Sequence, residues 1–139
     1  MVKKISVAIL VLVVCFACSD KKQYSENLNG TWVASDGRTY IFNYPNVEFR
    51  PSGEYIEKGQ QINKKSAELF GKTLIDEASK GTFGATMDNL EITYTHSMYD
   101  GVWKEEKNES VVSFKYKLSN DSLILTNLFG KSMTLKKQE

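Results

Sequence analysis

The sequence contains few of the residues from which covalent cross-links and catalytic centres are built. Its two cysteines, Cys15 and Cys18, lie near the N-terminus, so the chain beyond them has no thiol for a disulfide, a nucleophile or a metal site. Its single histidine, His96, is the only possible base for a Ser–His–Asp arrangement. A metal site at His96 would need several more donors, and no hydrolase or nucleotide-binding motif is present. We therefore expect no enzymatic activity, no metal and no cofactor.

The chain also lacks a charge excess and a run long enough to span a membrane. It carries 18 basic and 17 acidic residues, or 16 basic and 17 acidic without Lys3 and Lys4. This near-neutral balance gives no electrostatic reason to expect a nucleic-acid partner. The apolar run at residues 5–16 is about a dozen residues long, whereas a membrane-spanning helix needs ~20.

The N-terminal residues have the layout of a secretory signal peptide. Lys3 and Lys4 precede the apolar run, the small residue Ala17 follows it, and the chain turns polar directly after Cys18. A cysteine at this junction resembles the lipobox of bacterial lipoproteins. The alternative is an ordinary signal peptide in which Cys18 has no special role.

The lipobox resemblance implies cleavage before Cys18 and acylation of that residue by chains such as palmitate, which anchor a protein through their buried CH₂ groups. Ser19, rather than an acidic residue, would then be second, which favours the outer membrane of a bacterial cell envelope. We expect residues 1–17 to be the signal peptide, residues 18–29 a lipidated tether, and residues 30–139 one folded domain. The membrane is thus the first expected partner.

Short runs of alternating apolar and polar residues cover most of the folded domain. Leu90, Ile92, Tyr94 and His96, for example, fall on one face of a single run. Because turn residues separate these runs by short distances, about eight antiparallel strands are predicted. Such strands can lose their free edges by closing into an all-β meander barrel. An open β-sandwich with a helix packed across one end is the alternative.

Three local features are also expected. A helix is predicted at residues 64–80, with Gly81 as its stop, because apolar residues recur there at helical spacing. Residues 47–57 are predicted to form a hairpin that turns at Pro51, and residues 98–109 a loop. The helical stripe consists of Ala67, Phe70, Leu74, Ile75 and Ala78.

Several short motifs follow one another in order along residues 30–139. They are Gly30-Thr31-Trp32, Phe49-x-Pro51-Ser52-Gly53-x-Tyr55, Gly81-Thr82-Phe83, Leu90-Glu91-Ile92-Thr93, and residues 121–126 followed by 133–136. In this order they resemble the small bacterial lipocalin-like lipoproteins, which are calycin-type proteins. The resemblance implies that Trp32 closes the barrel base beneath a basic side chain, Lys136 or Lys137, by cation–π contact.

Aromatic residues and His96 fall on the predicted inward faces and are the candidate ligand-binding residues. A buried tyrosine needs a partner for its hydroxyl, so several inward tyrosines favour some internal polar space over a dry core. We therefore expect a small apolar or amphipathic ligand. In the alternative, the aromatics fill a solid barrel, His96 is a rim or core histidine, and loops bind another envelope protein or inhibit an enzyme. The candidates are Tyr40, Phe42, Tyr44, Tyr94, His96, Phe114 and Tyr116.

Overall fold

The computed structural model of the protein describes residues 20–51, 54–56, 60–62, 69, 78–99 and 101–139. Within these residues the chain is dominated by β-strands, preceded by a short helix, α1, at residues 20–26. The strands are β1 (Gly30–Ala34), β2 (Thr39–Asn43), β3 (Asn46–Arg50), β4 (Glu54–Ile56), β5 (Gln60–Ile62), β6 (Ala78–Ala85), β7 (Asn89–Tyr99), β8 (Val102–Leu118), β9 (Ser122–Thr126) and β10 (Ser132–Gln138).

Eight of these strands form a closed antiparallel barrel in the order β1-β2-β3-β6-β7-β8-β9-β10. Strands that are joined by short turns pair with each other, as short connections require. The first and last strands also pair, with Thr31 opposite Gln138 and Ala34 opposite Leu135, so the ring has no free edge. The predicted all-β meander barrel is thus confirmed, and the open sandwich is excluded.

The barrel core is formed by the alternate residues of each strand that point inward. Leu90, Ile92, Leu123 and Leu135 are completely buried, and Trp32 is nearly so. Their sequence neighbours on the same strands are more exposed, as Glu91 shows. The period-two alternation of the sequence therefore identifies the core-facing side of each strand.

The connections between antiparallel strands alternate between the two ends of the barrel. Those joining β2 to β3, β6 to β7 and β8 to β9 lie at the end where α1 packs, which we call the helix end. Those joining β1 to β2, β7 to β8 and β9 to β10 lie at the opposite end, which we call the far end. Strand β3 ends and β6 begins at the far end, and β4 and β5 pair with each other as a separate two-stranded sheet.

From residue 20 onwards the expected tether is part of the folded body. Ser25 and Leu28 are both 0% exposed. The Ser25 hydroxyl donates a 2.7 Å hydrogen bond to Lys21 O and accepts a 2.8 Å bond from the amide of Ala85, the last residue of β6. Tyr24 also packs against the core, four residues before Leu28, but two apolar residues are too few to predict this packing from sequence. Residues 18 and 19 lie outside the described residues.

The end of the predicted mid-chain helix is wrong, because residues 78–80 belong to β6. Leu69 is helical, but the rest of residues 64–77 lie outside the described residues. Gly81 is a strand residue and not a helix stop. A Cβ atom placed on it would lie 1.8 Å from Thr93 O on β7, so glycine is required by the close approach of the two strands.

Two other local expectations are also corrected. Strand β3 pairs with β2 and β6, and not with β4, whose partner is β5. Residues 98–109 are mostly strand, because β7 and β8 continue into a long hairpin that turns at Gly101, where φ is +74°. Lys and Glu residues dominate this part of β8, so its sequence has no apolar face by which to recognise a strand.

Candidate functional site

Six of the seven candidate ligand-binding residues lie in the barrel core or against it. Tyr40, Phe42 and Tyr116 are buried members of the core, being 5%, 2% and 8% exposed. Three further candidates are partly buried and pack against that core: Tyr44, Tyr94 and Phe114.

His96 lies on the outer face of the barrel and not on the predicted inward face. Gly81 pairs with Tyr94, but Lys80 pairs with His96, so Thr95 is an extra residue that forms a β-bulge. A bulge shifts the side-chain alternation by one residue, which moves His96 away from the face shared by Leu90, Ile92 and Tyr94. No sequence pattern marked Thr95 as the bulged position.

His96 lines an open outer groove of about 480 Å³ that crosses β2, β3, β6 and β7. Its ring Nδ1 lies 2.8 Å from the Thr95 hydroxyl oxygen. The two charged residues of the groove already have partners, since Glu48 pairs with Arg50 at 2.7 Å and the Lys80 ammonium lies 4.4 Å from the centre of the Trp103 ring. The two charged groups of this groove are therefore engaged within the fold.

Along three strands, β3, β7 and β10, the inward side chains become more exposed towards the far end. Along β7, Leu90 and Ile92 are fully buried, whereas Tyr94 is partly exposed. Along β3, Val47 is 2% exposed and Phe49 is more exposed. Strand β10 shows the same change from buried Leu135 to partly exposed Met133. At the same end Ala34, Ala78 and Leu125 are buried, so the far end is not accessible around its whole rim.

Aromatic rings form a connected cluster on the inner wall towards the far end. The ring centres of Tyr40 and Phe49 are 4.7 Å apart, and those of Phe49 and Tyr94 are 6.4 Å apart. Phe49 therefore lies between the two tyrosines. Tyr40 also stacks on Phe42, with ring centres 5.9 Å apart. We call Tyr40, Phe49 and Tyr94 the far-end cluster.

The two phenols of the far-end cluster are desolvated. Burial is the main cause that raises the pKa of Tyr40 to about 12, with smaller effects from the nearby Arg38 and Asp36 in the β1–β2 turn. Burial also raises the pKa of Tyr94, with a smaller contribution from Tyr40. Both phenols are therefore neutral at physiological pH.

Neither hydroxyl of the far-end cluster has a hydrogen-bond partner within the part of the chain that the structure describes. Tyr116 provides a contrast, because its hydroxyl donates a hydrogen bond of 2.5 Å to Thr86 O at the helix end. A buried hydroxyl without a partner is destabilising by about 1–3 kcal/mol. The far-end cluster therefore presents two polar groups that a bound molecule could satisfy.

Trp32 is buried at the helix end, and of the two lysines that the resemblance allowed, its neighbour is Lys137 and not Lys136. Trp32 pairs with Lys137 across β1 and β10, so both side chains share one face, and the Lys137 ammonium lies 5.5 Å from the ring centre. Lys136 is one residue away and faces outward, where it donates a hydrogen bond of 2.6 Å to the Ser122 hydroxyl. The Trp32 indole donates a 2.8 Å bond to Leu28 O, which fixes α1 against this end.

The candidate list missed two residues of the far end. Phe49 lies in a run of alternating apolar and polar residues that predicted an inward position, but it was not selected as a site residue. Met133 alternates with Leu135 along β10, and this spacing was the signal that could have identified it.

Other kinds of site were also sought among the described residues. They contain no group of three or more His, Cys, Asp or Glu side chains placed to hold a metal ion. In the same residues, no helix combines the length and apolar character needed to cross a membrane.

Comparison with known proteins gives no further identification. No protein-family model matches the chain, and neither the curated proteins nor the solved structures gave a significant match. The resemblance to lipocalin-like lipoproteins therefore rests on the sequence motifs and stays a prediction.

Proposed function

We propose that this protein is a lipid-anchored envelope protein whose barrel binds a small amphipathic ligand at its far end, without catalysing a reaction. The observation that carries the proposal is that the buried Tyr40 and the partly buried Tyr94 have no hydrogen-bond partner for their hydroxyls among the described residues. Apolar walls with a few placed polar groups are the usual composition of a small-molecule site. In this proposal the wall would be supplied by Phe49 and Met133, both partly exposed, and the polar groups by the tyrosines.

The ligand in this proposal does not enter the middle of the barrel. Phe42 and Ile92 fill it, being 2% and 0% exposed. The apolar part of the ligand would instead lie across Phe49 and Met133, where the inner wall becomes accessible. This predicts a modest affinity, because such a shallow site buries only part of the ligand.

Calorimetric titration with a soluble single-chain amphiphile such as decanoate tests the ligand proposal. Saturable binding at one site is expected, and Met133→Glu should abolish it because the new carboxylate would lie in the apolar wall. Met87→Glu is the matched control, because Met87 is 72% exposed in the β6–β7 turn at the helix end. The proposal fails if no amphiphile binds, or if the two variants weaken binding equally.

The anchoring part of the proposal rests on the lipobox resemblance at Cys18. Acyl chains on Cys18 would lie two residues before α1, which packs at the helix end. Metabolic labelling with an alkyne analogue of palmitate should therefore label the wild-type protein and Cys15→Ser, but not Cys18→Ser. Labelling that survives Cys18→Ser would contradict the lipid anchor.

A second candidate function is binding of another protein, and one observation favours it. Leu128 and Phe129 are 85% and 90% exposed at the tip of the β9–β10 turn. The Asn127 side chain holds this tip, because its Oδ1 accepts bonds of 2.9 Å and 3.0 Å from the amides of Phe129 and Lys131. Adjacent large apolar side chains on a fixed turn are typical of an interaction site.

Site-specific crosslinking in cells tests this second function. A photoreactive residue replacing Phe129 should give one crosslinked product of defined mass, and the same residue at Met87 should not. The product should disappear when Leu128 is replaced by Ser. Identical products from both positions would argue against a specific partner.

A further inference from the structure

We infer that the outer groove, which crosses β2, β3, β6 and β7, binds a neutral saccharide. This site is separate from the far end, and its ligand differs in kind from the amphiphile proposed there. The inference follows from three features of the groove: its size, the arrangement of its polar side chains across the strands, and the balance of its charges.

The groove lies on the outer wall of the barrel where β6 and β7 change register. Gly81 lines it without contributing a side chain, and so does Thr95, the bulged residue of β7. The volume of about 480 Å³ lies within the ~300–1,000 Å³ that is usual for small-molecule sites. The groove is open to solvent, so a ligand can enter it without a change in the fold.

One row of neutral polar side chains crosses the groove. Asn43 pairs with Asn46 between β2 and β3, and Asn46 pairs with Thr82 between β3 and β6, so the three side chains stand next to one another on the outer face. Opposite residues on neighbouring antiparallel strands have Cβ atoms about 4.5–5.5 Å apart. The row therefore presents two amides and a hydroxyl over roughly 10 Å.

A second row, two residues nearer the far end on β2, β3 and β6, carries the charges of the groove. It runs from Ile41 through Glu48 and Lys80 to His96 on β7. Glu48 and Lys80 are opposite one another, but each is engaged elsewhere, as described above. One carboxylate and one ammonium group balance, so the groove offers no net attraction to an anion or to a cation.

The polar groups that remain available in the groove are neutral. Asn43, Asn46 and Thr82 are exposed, and their side chains have no hydrogen bond within the part of the chain that the structure describes. An amide or a hydroxyl can donate and accept at the same time, which is what the hydroxyl groups of a sugar require of their partners. Ile41, half-buried in the same groove, provides an apolar surface for the C–H face of a sugar ring.

NMR titration of the ¹⁵N-labelled protein with maltotriose and with tri-N-acetylchitotriose tests the inference. The side-chain amide signals of Asn43 and Asn46 are observed directly in such spectra. We expect at least one of the two saccharides to shift them in a saturable way, because its hydroxyls would bond to these amides. Decanoate, the probe of the far end, should leave the same signals unchanged.

Two substitutions in the groove identify the groups that bind. Asn46→Ala and His96→Phe should each weaken saccharide binding about tenfold, because each removes hydrogen-bonding groups. Asn46 is exposed and His96→Phe keeps an aromatic ring, so both variants should give the circular dichroism spectrum of the wild type. Asn108→Ala is the matched control and should bind like the wild type, since Asn108 is also exposed but lies outside the groove.

The inference can fail while the proposed far-end site stands. It is overturned if neither saccharide shifts the Asn43 and Asn46 signals, or if Asn46→Ala and His96→Phe bind as tightly as the wild type. Saturable shifts of the same signals by decanoate would also overturn it, because the groove would then not select a neutral polar ligand. Binding of decanoate at the far end is measured independently by calorimetry.

Discussion

Replacing Gly81 with alanine should strongly destabilise the barrel. The new Cβ atom would lie 1.8 Å from Thr93 O, 2.8 Å from Thr93 C and 2.9 Å from Tyr94 Cα. All three atoms belong to the backbone of β7, so no side-chain rotation can relieve the overlap. The strands β6 and β7 would have to separate by more than an ångström at the bulge where Tyr94 enters the core.

The expected loss in the free energy of unfolding follows from that displacement of the two strands. Overpacking in a core is destabilising by about 1–3 kcal/mol, and a clash with backbone belongs at or above the upper end of this range. For a domain of this size, a loss of about 3 kcal/mol lowers the Tm by more than about 10 °C. Urea denaturation and thermal unfolding, both followed by circular dichroism, measure the two quantities.

Gly84→Ala is the matched control on the same strand. Its Cβ atom would lie 2.7 Å from Cε of Lys21, which is the far end of a flexible side chain and can move aside. We expect this variant to unfold within about 0.5 kcal/mol of the wild type. If Gly81→Ala is as stable as Gly84→Ala, the close approach of β6 and β7 described above is incorrect.

Three further predictions concern the helix end and the far-end cluster. Ser25→Ala should lower the free energy of unfolding in urea by about 1–3 kcal/mol, because it leaves the buried Ala85 amide without its acceptor. Ser119→Ala, at an exposed turn, should lower it much less. Equal losses would mean that residues 20–28 do not pack as described. Lys137→Met should lower the free energy of unfolding by about 0.5–1 kcal/mol, because it removes the cation–π contact with Trp32. Lys136→Met should leave the near-ultraviolet circular dichroism of Trp32 unchanged. If Lys136→Met had the larger effect, Lys136 would be the partner of Trp32. Tyr40→Phe should reduce the loss of stability at alkaline pH. The pKa of Tyr40 is about 12 in the folded state against an ordinary 10.0, so the folded state keeps a proton that the unfolded chain releases. Between pH 10 and 12, the unfolding free energy of the wild type should therefore fall by about 2–3 kcal/mol more than that of the variant. Parallel curves for the two proteins would show that Tyr40 is solvated.

The barrel was predictable from the sequence because its strands alternate with a period of two. Leu90, Ile92 and Tyr94 on β7 show this alternation, and the short turns between strands required antiparallel neighbours. The same alternation placed Tyr40 and Tyr116 in the core. Local patterns of this kind are sufficient to assign strands and their inward faces when one face is buried.

The parts that could not be predicted depend on contacts between distant residues. The bulge at Thr95 arises where β7 passes over Gly81, and this moved His96 to the outer face. The choice between Lys136 and Lys137 depends on the pairing of β1 with β10, since one residue of register decides which lysine faces Trp32. The role of residues 20–28 was hidden because Ser25 is buried by a hydrogen bond to β6 and not by an apolar pattern.

The far-end cluster was only partly visible in the sequence. The tyrosines were expected to face inward, and their number suggested that some hydroxyls would need partners. The sequence could not say which ones, because Tyr116 finds an acceptor at Thr86 through the packing of the β6–β7 turn, while Tyr40 and Tyr94 have none in the described residues. This distinction needs coordinates.

A crystal structure of the protein with bound decanoate would test the central claim most directly. We predict density for the alkyl chain against Phe49 and Met133, with the carboxylate within hydrogen-bond distance of the Tyr40 or the Tyr94 hydroxyl. Density for the ligand at the outer groove or at Leu128 and Phe129, with the two phenols still unbonded, would contradict the claim.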